Sequence, residues 1–172
     1  MNIIFTGFMC TGKSETGKIV SKILNRIFFD TDVLIEKKIG LSIVDIFKNF
    51  GEDCFRQFEI DIINEISSKD LSVISCGGGV VLNYENIILL RKNGILINLY
   101  ASPEVIYERS KKEDSRPLLK HKNSLNEIKK IMDFRKKNYS NCDFSFDTDN
   151  LTPLEVANKI LNNNDVMRAL LH

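Results

Sequence analysis

The sequence predicts an α/β protein with three layers, helices packed on both faces of a five-stranded parallel sheet. Short apolar runs of strand length alternate with helical patterns from end to end of the chain, which is the order of a parallel sheet with crossover helices. Glycine-rich stretches follow the first and third of those runs, at the carboxyl ends of strands where such sheets bind ligands. The chain has 172 residues, 43% of them hydrophobic and 27% charged, which suits one globular domain and excludes disorder for its bulk.

Residues 2–6 (NIIFT) read as a buried strand. Ile19, Val20, Ile23 and Leu24 recur at helical spacing and predict a helix over 13–25. A short second strand at 27–29 precedes two short helices, 32–38 and 42–49, broken at Gly40. A longer helix spans 52–67, with Phe55, Phe58, Ile62, Ile63 and Ile66 on one side. The third strand, 71–76, runs into Gly77-Gly78-Gly79, and the helix over 83–92 stops at Asn93-Gly94. After the fourth strand at 95–100, Ser102 and Pro103 are the N-cap and first position of a helix over 103–110. Residues 111–124 are polar with one proline and read as a mobile surface loop or lid. A helix over 125–139, a weak fifth strand at 144–146 and a last helix from 153 to 163 complete the chain, with an extension to the terminus left open.

Composition narrows the function. The 24 basic and 23 acidic residues leave a net charge of +1, without the basic excess of a nucleic-acid binder. No apolar run reaches the roughly 18–20 residues of a membrane span. The opening MNIIFTGFMC has no basic segment before its apolar run, so a signal peptide is not expected and a cytoplasmic location is. Cys10, Cys54, Cys76 and Cys142 form no C-x-x-C pair and only two histidines occur, so neither zinc nor disulfides are expected. A monomer is the expected state, with no nucleic-acid or membrane partner.

Gly7-Phe8-Met9-Cys10-Thr11-Gly12-Lys13-Ser14 fits G-x-x-x-x-G-K-[ST] between a predicted strand and a predicted helix. The glycines permit backbone angles and close approaches that side chains block. Successive amides then face one concavity, and the helix beginning at Lys13 adds its positive end. Lys13 reaches the β- and γ-phosphates and the Ser14 hydroxyl ligates magnesium, so nucleoside triphosphate binding is expected.

Other loops carry chemistry for a second substrate. In Asp30-Thr31-Asp32 the two carboxylates either hold magnesium and accept a hydroxyl proton, or cap the next helix. Arg56 and Glu59 share a helix face, as an ion pair or as a carboxylate site. Gly77, Gly78 and Gly79 read as backbone pressed against a ligand, or as a plain turn. Arg116, followed by Pro117 and Leu118, lies in the polar loop, either solvated or closing over phosphate. Arg135 and Tyr139, read alone, are surface or packing residues.

In order, GFMCTGKS, DTD, DIF, FRQFE, SCGGG, RPLL and RKKNY resemble the shikimate kinase family, of the nucleoside monophosphate kinase type among P-loop kinases. The resemblance runs from Asn2 to about Leu161. It implies transfer of the γ-phosphoryl of ATP to the 3-hydroxyl of shikimate, with Mg2+ as cofactor. It implies that Cys10, Thr11, Gly12, Lys13, Ser14 and Glu15 wrap the ATP phosphates, and that Arg109 and Pro153 lie at the adenine. It implies that Ser14 and, through water, Asp30 hold magnesium. Asp32 is then the base, Lys13 and Arg116 carry positive charge to the phosphates, and Arg56, Gly77, Gly78, Gly79 and Arg135 bind shikimate. Glu59 orients Arg56, and Phe47, Phe55, Pro117 and Leu118 line the pocket. The resemblance also assigns residues 32–61 to a shikimate-binding helical region. Glu15 departs from the family's usual Thr, Cys10 and Thr11 replace smaller residues, and Leu151 stands where some relatives have an arginine. Other kinases of this fold, acting on gluconate or nucleoside monophosphates, and a nucleotide-switch module are the competing readings.

Overall fold

The computed structural model describes residues 1–111 and 125–171. In chain order the described elements are β1 (Asn2–Thr6), α1 (Lys13–Ile23), β2 (Ile27–Asp30), α2 (Thr31–Ile39), α3 (Ile43–Ser67), β3 (Ser72–Ser75) and a short 3-10 turn (Val80–Leu82). There follow α4 (Tyr84–Arg91), β4 (Gly94–Tyr100), α5 (Pro103–Ser110), α6 (Leu125–Tyr139), β5 (Phe144–Asp147), α7 (Pro153–Leu161) and α8 (Asn164–Leu171). The strands form one parallel sheet in the order β2-β3-β1-β4-β5.

Successive strand side chains point to opposite faces, so each apolar strand feeds two cores. Ile3 and Phe5 of β1 pack with Val20 of α1, Val156 and Ile160 of α7, and Val166 of α8. Ile4, Ile74 and Leu96 face the other way, against Ile62, Ile63 and Ile66 of α3, Ile106 of α5 and Ile128 of α6. The central strand is fully buried, and the three-layer arrangement follows from that.

Because every strand runs the same way, the loops after β1, β2 and β3 open at one end of the sheet. Those connections are 7–12, the direct passage from β2 into α2 at Asp30-Thr31, and 76–79. The two helices predicted over 42–49 and 52–67 are both present within α3, which breaks between them at Gly51 with φ 80° and ψ 177°. The tail is two helices: α7 ends at Leu161, and the Asn163 side chain accepts hydrogen bonds from the amides of Asp165 and Val166 to start α8. No described helix is long and apolar enough to cross a membrane.

Candidate active site

The loop between β1 and α1 is shaped by what its backbone must do. Gly7 has φ 141°, and a Cβ there would overlap the Leu99 carbonyl oxygen of β4. Gly12 (φ 86°) precedes α1 and has no side chain to cap it, so the first-turn amides face the loop's concavity. Cys10 also takes a left-handed conformation, φ 60°, which is uncommon for a residue with a side chain. Lys13 is buried, and its Nζ donates to the Phe8 carbonyl at 2.7 Å and lies 3.5 Å from Thr11 Oγ1. Thr11 Oγ1 donates to the same carbonyl at 2.9 Å. The lysine charge is thus folded along the inside of the loop.

Asp30, at the end of β2, uses its two carboxylate oxygens differently. Its Oδ1 accepts from the amides of Asp32 (3.1 Å) and Val33 (3.4 Å) and caps α2. Its Oδ2 accepts from the Ser14 hydroxyl at 2.5 Å, and Ser14 lies 3.2 Å from the Ser75 hydroxyl at the end of β3. Hydroxyl, carboxylate and hydroxyl make an all-oxygen set next to the phosphate loop. That chemistry suits magnesium, which prefers oxygen ligands and keeps several waters.

The triglycine stretch after β3 is where the carboxylates and guanidinium groups meet. A Cβ on Gly77 would overlap Asp32 Oδ1 and stand 3.1 Å from Glu59 Oε1, so those two acids face each other across it. The Gly77 amide donates to Thr31 Oγ1 at 2.8 Å. A Cβ on Gly78 would stand 3.4 Å from the Met9 amide nitrogen, which ties the stretch to the phosphate loop. A Cβ on Gly79 would overlap the Arg56 guanidinium. Arg56 Nη1 donates to Glu59 Oε2 at 2.5 Å, and its Nη2 and Nε donate to Glu52 Oε1 at 2.8 and 3.3 Å. The guanidinium lies 5.3 Å from the centre of the Phe55 ring, which itself packs 4.6 Å from the Phe47 ring. From the other side, Arg135 Nη1 donates to the Gly78 carbonyl at 3.4 Å and Tyr139 Oη to the same oxygen at 2.6 Å. Burial pushes the Glu59 carboxyl up to about 7; the Arg56 charge opposes that rise and Asp32 adds to it. Burial lowers the Arg56 pKa, but Glu59 and Glu52 outweigh it and the net shift is upward.

A cavity of about 290 Å³ continues from the phosphate loop, lined by Cys10, Gly12, Thr16, Arg109, Leu151 and Pro153 among others. Arg109 is fixed there, donating to the Cys10 carbonyl at 3.2 Å and to Thr148 at 3.1 and 2.7 Å.

A shikimate kinase family model matches residues 9–164. The chain is 45% identical to the shikimate kinase of Caldicellulosiruptor bescii and 47% identical to that of Caldicellulosiruptor saccharolyticus, each over 93% of both chains. The chain belongs to the shikimate kinase family. It is also similar to the solved shikimate kinase of Acinetobacter baumannii in complex with shikimate, with a TM-score of 0.92, 30% identity, and coverage of 99% of this chain and 95% of that one.

Set beside the expectations from sequence, this family member brings Lys13, Ser14, Asp30, Asp32, Arg56, Glu59, Gly77, Gly78, Gly79 and Arg135 to the three neighbouring loops and the helices beside them. Arg109 and Pro153 line one cavity with Cys10, Thr11 and Gly12. Glu15 differs in its side chain, which is exposed and paired with Lys18 at 2.7 Å, away from the loop's interior. Arg116, Pro117, Leu118 and all but the first residue of the lid expected over 111–124 lie outside the described residues. Sequence reasoning missed Thr31, Ser75, Thr148 and Glu52. For Glu52 a signal existed, since it stands four residues before Arg56 on the helix. Thr31, Ser75 and Thr148 act through partners far along the chain, and no local pattern marks them.

Proposed function

We propose that the chain transfers the γ-phosphoryl group of ATP to the 3-hydroxyl of shikimate, giving shikimate 3-phosphate and ADP. The observation that carries this reading is the meeting of two guanidinium groups, Arg56 and Arg135, around a triglycine turn that also touches Asp32 and the phosphate loop. Shikimate is a small anion with neutral hydroxyls. Arg56, held between Glu59 and Glu52, and Arg135 grip its carboxylate, because a planar fork of N–H groups matches two carboxylate oxygens. Asp32 accepts the hydrogen bond of the reacting hydroxyl and takes its proton. The hydroxyl oxygen forms its bond to the γ-phosphorus as the bond to the bridging oxygen breaks, and ADP leaves with that electron pair. Lys13 and the amides of the loop offset the charge on the phosphoryl oxygens, which is most of what a loose phosphoryl-transfer transition state needs. Ser14 and Asp30 would hold magnesium, which supplies further positive charge to the phosphates when bound. Arg109 and Pro153 flank the adenine. The same reading has the enzyme at work as a cytoplasmic monomer, with no nucleic acid or membrane as partner.

Coupled ADP release with magnesium and ATP, across a panel of shikimate, gluconate and AMP, tests the assignment. Turnover that depends on shikimate is the expected result. Turnover with gluconate or AMP instead, or slow hydrolysis indifferent to all three, contradicts it.

A further inference from the structure

Thr16 lies in the first turns of α1 and is 1% exposed. Its hydroxyl oxygen has no hydrogen-bond partner among the described residues. A buried, unpaired hydroxyl costs stability, and a valine of the same shape carries no such cost. The residue also lines the cavity shared by Cys10, Gly12, Arg109, Leu151 and Pro153. A Cβ on Gly12 would stand 3.9 Å from Thr16 Oγ1, so the hydroxyl is turned back toward the start of the helix and the phosphate loop. An unsatisfied donor beside the phosphate loop and the nucleoside cavity has a ligand of evident chemistry.

We propose that the Thr16 hydroxyl is a nucleotide contact, bonding an oxygen where the ribose meets the α-phosphoryl group. The proposal rests on the nucleotide-binding reading of this cavity. It assigns to Thr16 a share of nucleotide affinity and none of shikimate recognition, since Arg56, Arg135 and Asp32 belong to other elements.

Calorimetric titration of the full chain with magnesium and ADP, for the parent, Thr16→Val and Thr16→Ser, tests it. The parent and Thr16→Ser bind alike, and Thr16→Val binds about 3- to 10-fold more weakly, the value of one hydrogen bond. The ligand-free melting temperature of Thr16→Val equals or exceeds that of the parent, and its KM for shikimate is unchanged. Equal ADP affinity of Thr16→Val and parent overturns the proposal, as does a Thr16→Ser variant as weak as Thr16→Val. A lower melting temperature of ligand-free Thr16→Val makes the hydroxyl structural and overturns it too. A parent chain that fails to bind ADP overturns the nucleotide reading itself, which separates the two failures.

Discussion

Glu59 has a buried carboxyl raised to about 7 by desolvation, against the pull of the Arg56 guanidinium. For stability the sign follows from proton counting. The folded-state pKa lies above the ordinary 4.5, so between those values the folded chain binds more protons than the unfolded one. The stabilisation is full at low pH and is lost as pH rises through 7. For substrate binding the direction is opposite, because only the ionised carboxylate fully holds Arg56 in place. The KM for shikimate is expected to fall severalfold from about pH 6 to about pH 8, and Glu59→Gln to show a high KM nearly independent of pH over that window. Steady-state kinetics at saturating ATP measures both. A parent KM that is flat with pH removes Glu59 from the positioning of Arg56.

At the scale of the elements, the turn after β3 is built by exclusion. Gly79 has φ −96°, a conformation open to any residue, so it is space and not backbone strain that calls for glycine. Its missing side chain is the room that the Arg56 guanidinium occupies. Gly79→Ala is expected to displace that group and raise the KM for shikimate on the order of tenfold to a hundredfold, with the KM for ATP little changed. Equal effects on the two substrates would mean that the turn supports both sites and not the carboxylate clamp. The elements also show what sequence patterns reveal. Alternating apolar runs reported the strands, and the cap residues Ser42, Asn83, Ser102 and Thr152 each accept the amide hydrogen bond that starts a helix. The break of α3 at Gly51 was legible, because glycine takes the left-handed backbone that ends one helix before the next begins. The second tail helix was left open because its anchor is not local: Asn163 caps α8, and Val166 packs in the sheet's second core.

Over the whole molecule, function follows from parallel strands that all deliver their loops to one end. Arg56 and Arg135 stand mid-helix on α3 and α6, and read alone their roles stayed open. The phosphate-loop residues, Asp30, Asp32 and the triglycine were legible because each lies within a few positions of a strand's end, where sequence spacing fixes geometry. The bonds that join those loops were not. Thr31 meets Gly77 across 46 positions, and Tyr139 meets Gly78 across 61. Such contacts exist only once β2 and β3 are paired and α6 is laid over the turn. Among the described residues the site sets the cations Lys13, Arg56 and Arg135 beside the acids Asp30, Asp32 and Glu59, with Glu52 on Arg56 and Arg109 at the phosphate loop. Recognition of the substrate carboxylate by two guanidinium groups is the central claim. Its most direct test compares kcat/KM for shikimate and for its methyl ester, in the parent and in Arg135→Ala. The parent is expected to lose on the order of a hundredfold or more with the ester, as a desolvated charge pairing implies, and Arg135→Ala to narrow that gap to a few-fold. A parent that turns over the ester as well as the acid would contradict the account.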